Sequence, residues 1–300
     1  MRSFTRGLTL TTALASLALA ACDENPVTAP SGPELARGGK RTLIAFAHKE
    51  ADGTTQIYTV TANGRTTNPL TTGTSSNFSP RWTPDRTRIV FVSDRSGSDK
   101  IHIMNADGSN VVQLTTGSCA DRLPAPSPDG TRIVFQRQCA GGGLFLINTD
   151  GSNLTQLTDH PNDTEPSWKP DGSLVLFASD RINPGFDIWS VTPGDIMPPV
   201  RFLPCDGGTC RAPIFSPDGT KLAAWVGEGV LGLYENGGVE LVKNLGPGTV
   251  YAAAWSPDGR KIAFVANFNG VDIYTVNLDG SGLAPLAALP GDDVAPSWHR

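Results

Sequence analysis

The chain has 300 residues, 39% of them hydrophobic, with 33 Gly, 24 Pro and a formal net charge of −5. That length allows one large all-β domain or two ordinary ones, and the Gly and Pro content suits many short strands joined by tight turns. The mild acidity argues against nucleic acid as a partner, because phosphate binding needs clustered Lys and Arg and no such run occurs.

At the N-terminus, Arg2 and Arg6 flank a short Ala- and Leu-rich stretch, Gly7 to Leu19. A basic start before a short apolar run reads as a secretory signal, too short to be a spanning helix. It ends in Leu19-Ala20-Ala21-Cys22. That tetrad resembles the lipobox of bacterial lipoproteins. The resemblance implies that residues 1–21 are a signal peptide, that Cys22 carries lipid, and that the protein is tethered in the bacterial cell envelope, facing the periplasm or exposed at the surface. Asp23, which follows the cysteine, leaves the choice between inner and outer membrane open. Residues 22–40 contain Pro26, Pro30 and Pro33 with Gly32, Gly38 and Gly39, and few large apolar side chains. Such a segment buries too little to fold and is expected to be a tether with a reach of about 25 Å.

From residue 41 onward a turn keeps returning. Thr83-Pro84-Asp85-Arg86, Ser127-Pro128-Asp129-Gly130, Lys169-Pro170-Asp171-Gly172, Ser216-Pro217-Asp218-Gly219 and Ser256-Pro257-Asp258-Gly259 have prolines 44, 42, 47 and 40 residues apart. Pro presets φ for the second position of a type I turn, Asp suits the third, and Gly supplies the positive φ of the bulge that follows. Arg86 stands where the other copies have Gly, so slight strain is expected there.

An aromatic residue precedes most copies: Trp82, Trp168, Phe215 and Trp255. A β-rich strand follows each turn, near residues 88–92, 132–136, 174–178, 221–225 and 261–265. A third strand is predicted near 101–104, 144–147, 188–191, 230–234 and 273–276. A second turn, Asp107-Gly108, Asp150-Gly151 or Asp279-Gly280, leads to a short fourth strand such as Gln113-Leu114-Thr115 or Gln156-Leu157-Thr158. Four antiparallel strands at this period define a β-propeller blade.

The first unit, residues 42–47, 57–60 and 69–71, has no first strand of its own. Trp298, 43 residues after Trp255, occupies the aromatic position of a first strand with no turn after it. The C-terminal strand is therefore expected to complete the N-terminal blade, which removes the open edge. The reading is an all-β, six-bladed propeller over residues 41–300.

Ser127-Pro128-Asp129-Gly130-Thr131-Arg132-Ile133-Val134-Phe135 resembles the repeats of TolB-like propellers, also called WD40-like or PD40 repeats. So do Ser93-Asp94-Arg95 and Ile103-Met104-Asn105-Ala106-Asp107-Gly108. The family includes the propeller of the bacterial Tol–Pal envelope system, which docks a lipoprotein, and related propellers that cap prolyl oligopeptidase-type peptidases. The resemblance implies a binding role. Fold analogy alone leaves the function to be argued from the site.

Beyond Cys22 the chain has Cys119, Cys139, Cys205 and Cys210. In an oxidising compartment they are expected to form disulfides. Cys119 leads from the second blade to the third and Cys139 follows the second strand of the third blade, which puts both on one face. The pairs expected are Cys119–Cys139 and Cys205–Cys210.

His48, His102, His160 and His299 are scattered, and no metal, cofactor or catalytic group is expected. The uniform turns share one face. The irregular loops of the other carry Asp94, Arg95, Asp121, Arg122, Asp163, Glu165, Asp180, Arg181, Asp292 and Asp293. The expected function is a monomeric, non-enzymatic protein-binding or scaffold module that uses this acidic face to hold an envelope protein or peptide. The alternative is a lyase or hydrolase acting on polysaccharide or peptide at the channel mouth.

Overall fold

The structure is a computed structural model that describes residues 42–298, apart from 183–184, 195–196, 206–207, 228–229, 236–237, 245–250, 269 and 288. The expected signal peptide, Cys22 and the expected tether lie outside the described residues, as does His299. Every regular element described is a strand.

The chain opens with β1 (Leu43–Lys49), β2 (Thr55–Thr61) and β3 (Thr67–Pro69). The second blade is β4 (Asn77–Trp82), β5 (Arg88–Ser93), β6 (Lys100–Asn105) and β7 (Val112–Gln113). The third is β8 (Ala120–Pro126), β9 (Arg132–Gln138), β10 (Gly143–Asn148) and β11 (Thr155–Gln156). The fourth is β12 (Thr164–Trp168), β13 (Val175–Ser179), β14 (Asp187–Val191) and β15 (Val200–Leu203). The fifth is β16 (Cys210–Phe215), β17 (Leu222–Val226), β18 (Val230–Glu235) and β19 (Gly238–Asn244). The sixth is β20 (Tyr251–Trp255), β21 (Lys261–Asn267), β22 (Val271–Asn277) and β23 (Ala284–Ala287). The last strand, β24 (Asp293–Trp298), pairs antiparallel with β1, so the first blade has the order β24-β1-β2-β3.

Six four-stranded sheets result, and the fold is the expected six-bladed propeller. The core lies between blades. Val90, Val92 and Ile101 of the second blade meet Ile133, Phe135 and Ile147 of the third. Ala263, Val265 and Ile273 of the sixth meet Ile44, Phe46, Val60 and Trp298 of the first, so the closing seam is packed like the others. Each fully buried Val, Ile or Phe contributes about 1.5–3 kcal/mol.

The turns follow their spelling. In the third blade Gly130 N donates to Ser127 O (2.9 Å), Ser127 Oγ donates to Asp129 Oδ1 (2.5 Å) and accepts from Arg132 N (2.9 Å). The four glycines of this turn have φ between 67° and 74°, and Arg86 takes the same region at 64°. The Asp-Gly-Ser turns also lock neighbouring blades: a Cβ on Gly108 would sit 2.4 Å from Leu70 O.

The outermost strands differ from expectation. They were predicted over residues 69–71, 113–115 and 156–158, but the ladders end at Pro69, Gln113 and Gln156. The threonine hydroxyl is the reason. Thr71, Thr115 and Thr158 Oγ1 accept from Ile57, Ile101 and Leu144 N at 2.8, 3.0 and 3.0 Å, taking the place of a strand carbonyl.

Two disulfides are present. Cys119–Cys139 spans 5.4 Å between Cα atoms and ties the loop entering the third blade to the end of its second strand. Cys205–Cys210 spans 6.0 Å and closes the loop between β15 and β16.

Candidate functional site

The innermost strands β4, β8, β12, β16, β20 and β24 surround a central channel. A strand edge facing a cavity presents unpaired N–H groups, and proline removes one. Pro80, Pro124, Pro166, Pro213 and Pro296 stand at one register position of five inner strands, two residues before Trp82, Pro126, Trp168, Phe215 and Trp298. The residue before each is a left-handed bulge: Ser79, Leu123, Glu165, Ala212 and Ala295 have φ of 51°, 53°, 54°, 48° and 54°, and Ala252 of the sixth blade joins them at 57°. The ladder slips at the bulge in all six blades. A bulge bends its strand and re-aims the next side chain, and here that happens around the whole channel. In sequence its signal is a Pro two residues before the aromatic, as in Pro80-Arg81-Trp82 and Pro166-Ser167-Trp168.

The channel encloses about 740 Å³. Five of the six tryptophans line it: Trp82, Trp168, Trp225, Trp255 and Trp298. Trp168 Nε1 donates to Ala125 O (3.0 Å) and Trp255 Nε1 to Ile214 O (3.1 Å), each reaching the preceding blade. Among the described residues the charged lining side chains are Arg81, Glu165 and Arg211. Glu165 Oε2 accepts from Ala212 N (2.8 Å), and its Oε1 lies 3.2 Å from Arg211 Nη2, a pairing between neighbouring inner strands. Arg81 Nη1 donates to Pro80 O (3.0 Å), and desolvation lowers the guanidinium pKa to about 10. Sequence reasoning missed Arg81 and Arg211.

At the loop face the channel opens into a second depression of about 550 Å³, lined in part by Phe78, Arg122, Gln138, Asn162, Phe186 and Arg211. Three residues expected on this face are instead inside the fold. Asp121, Asp163 and Asp293 have no solvent exposure. They occupy the beginnings of the inner strands, where the neighbouring strand's side chains close over them. Arg137 holds Asp121 through Nε (2.7 Å) and Nη2 (2.9 Å), Arg181 Nη2 holds Asp163 (2.5 Å), and His48 Nδ1 is 2.7 Å from Asp293 Oδ1. Burial pushes the Asp293 carboxyl up, against the opposing pull of His48.

The arginines repeat a device: Arg95, Arg137 and Arg181 lie over Phe91, Phe135 and Phe177, each with the guanidinium 5.5 Å from the ring centre. Arg95 turns to Asn77 Oδ1 (2.8 Å), the neutral counterpart of the two aspartates. The other expected residues keep some exposure: Asp94 accepts from Ser76 N (2.8 Å), Arg122 pairs with Asp99 (2.5 Å), Asp180 accepts from Asn162 Nδ2 (2.9 Å), and Asp292 is half-buried. Asp206 and Glu228 lie outside the described residues. No three His, Cys, Asp or Glu among the described residues are grouped as a metal site would require.

A ring of six blades around a bulge-lined channel, with framework turns at one end and an irregular mouth at the other, defines a six-bladed β-propeller. The PD40 family, described as the TolB beta propeller domain, matches residues 29–183, and the chain belongs to it. The fold is similar to that of TolB from Acinetobacter baumannii, with a TM-score of 0.77 and 20% identity over 85% of this chain and 66% of that one. It is similar also to a putative TolB from Agrobacterium tumefaciens, with a TM-score of 0.65 and 17% identity over 88% of this chain and all of that one. In sequence, 49 residues are 41% identical to the Tol-Pal system protein TolB of Anaeromyxobacter dehalogenans. That match spans 16% of this chain and 11% of the relative's length.

Proposed function

We propose that this protein is an exported, lipid-anchored component of the bacterial envelope whose propeller binds another envelope protein through its loop face. The observation that carries the reading is the depression of about 550 Å³ at the channel mouth, bordered by charged side chains already held in place. Arg122 is fixed by Asp99 and Arg211 by Glu165, and the lining Asn162 is bonded to Asp180. Side chains ordered before binding lose less entropy when a partner arrives. Kinship with proteins named for the Tol-Pal system makes an envelope protein the natural class of partner. The accessible charges are mixed, so the partner surface is expected to be polar and of mixed sign, with a basic bias opposite Asp94, Asp180 and Asp292.

The lyase or hydrolase reading needs His, Arg and carboxylates converging at the mouth. His160 Nδ1 lies 3.8 Å from Asp163 and 3.7 Å from Asp180, with Arg181 on Asp163, but His48 is in β1 beside Asp293 and His102 is in β6, so the described histidines do not gather at one site, which favours binding over chemistry.

The test is photo-crosslinking in living cells. A crosslinking amino acid replaces Arg122 or Asp180 on the loop face, and Asp129 or Asp218 on the turn face serves as control. One discrete envelope protein captured from the loop-face positions alone supports the reading. Equal capture from both faces, or none from the loop face, overturns it. For the anchor, Cys22→Ser is expected to move the exported protein from the membrane fraction to the soluble one. Continued membrane association of that variant rejects lipidation at Cys22.

A further inference from the structure

The channel interior carries a charge problem that protein docking at its mouth does not solve. Glu165 and Arg211 neutralise each other. Arg81 is left as a cation in a desolvated wall, its one hydrogen bond going to the adjacent Pro80 carbonyl. No carboxylate among the described residues pairs with it. Its lowered pKa still leaves it charged at neutral pH.

Ser167, Trp225 and Trp298 also line this cavity, each with its side-chain polar atom (Oγ, Nε1 and Nε1) buried within the wall. An indole N–H only donates, and a hydroxyl can. Buried polar atoms left unpaired are costly and therefore uncommon. These three atoms lie within the wall, so the unmatched guanidinium of Arg81 is the charged donor that the cavity offers a ligand. What that guanidinium lacks is an acceptor carrying negative charge.

Most of the remaining wall is apolar, built from indole faces, prolines and alanines, with Ser79, Thr83, Thr209 and Ser297 between them. The volume of about 740 Å³ falls within the range of about 300–1,000 Å³ usual for small-ligand sites. We infer that the central channel binds a small monoanionic carboxylate with an apolar body, its carboxylate on Arg81 and its body against the tryptophans. A carboxylate fits the planar guanidinium fork in two-bond geometry. One unmatched cation balances one negative charge. A phosphate dianion would bring a second charge into the desolvated site with nothing to balance it. The attraction is local, because the chain as a whole carries a net charge of −5 and repels anions at long range.

The experiment measures binding to the full exported chain by calorimetry and by tryptophan emission, since five tryptophans report on the channel. The probes are 4-phenylbutyrate, the uncharged 4-phenylbutanol and inorganic phosphate. The acid is expected to bind and alter the emission, with the alcohol at least tenfold weaker and phosphate weaker than the acid. Arg81→Gln is expected to weaken the acid at least tenfold and leave the alcohol unchanged, and Arg81→Lys to recover part of the loss. Equal affinity for acid and alcohol, tighter binding of phosphate, an unaltered Arg81→Gln affinity, or no binding of the acid at millimolar concentration overturns the assignment. If Arg81→Gln loses the β-sheet circular dichroism of the parent, the acid–alcohol comparison on the unsubstituted protein decides.

Discussion

At the scale of single residues, the turns concentrate both strain and charge. Arg86 adopts φ 64° where the equivalent glycines of the other turns lie between 67° and 74°. A side chain in this region costs about 1–2 kcal/mol, partly offset by the greater unfolded-state entropy of glycine. Arg86→Gly is therefore expected to stabilise the protein by about 1 kcal/mol, read as a higher urea midpoint with unchanged slope. A lower midpoint would contradict the turn geometry. The aspartates of the turns titrate together. Asp129, Asp218 and Asp258 are held below the ordinary carboxylate range, first by the serine hydroxyl two residues earlier, and Asp218 falls to about 2. Asp107, Asp150 and Asp279 are lowered first by the serine two residues later. A depressed folded-state pKa gives stability that is complete above the unfolded value near 3.8 and is lost as pH falls through the folded value. Melting temperature is thus expected to drop between about pH 4 and pH 2. The triple variant Asp129→Asn, Asp218→Asn, Asp258→Asn should melt lower at pH 7 and lose less over that interval. An identical acid slope in parent and variant would show that these carboxylates do not drive the loss.

At the scale of elements, a strand was legible where its identity is local and obscure where a side chain stands in for backbone. A Pro-Asp turn precedes the second strand of five blades and an Asp-Gly turn follows the third strand of three, and the second and third strands were readable to within two residues at each end. The outermost strands were not, because Thr71, Thr115 and Thr158 replace a ladder carbonyl with a hydroxyl, and a threonine looks the same in either role. Thr115→Val keeps the shape and removes the acceptor of the buried Ile101 N–H, and is expected to cost about 1–3 kcal/mol. A change below about 0.5 kcal/mol in chemical denaturation would mean that another group takes up that N–H. The candidate site divides in the same way. The bulge residues around the channel are Ser, Leu, Glu and Ala, which give no glycine signal for a left-handed backbone. The charges at the mouth could be read as a set, but an aspartate at a loop-to-strand junction does not reveal whether it is covered. Asp121 and Asp163 are covered because an arginine near the end of the second strand of the same blade, Arg137 within it and Arg181 just after it, folds back onto them.

At the scale of the whole molecule, the ring is closed by one strand. β24 gives the first blade its inner strand, places Trp298 against Ala263 and Val265 of the sixth blade, and sends Ser297 Oγ to the backbone N–H of Trp82 in the second blade (3.1 Å). Three consecutive blades therefore depend on residues 293–298. Deleting them would leave β1 with an open edge, unseal the interface between the sixth and first blades, and leave Asp293's partner His48 without its carboxylate. Local damage of this kind stays local in an open solenoid, where each repeat touches only its neighbours. In a ring the break converts a closed array into one with two ends, and an exposed strand edge recruits another chain. Truncation after Asp292 is thus expected to lower the melting temperature sharply and to shift the protein to oligomers on size exclusion. Adding the synthetic peptide of residues 293–300 should restore both in part by supplying the strand in trans. A truncated protein that stays monomeric with the parent's melting temperature would show that the other five seams hold the ring without the sixth.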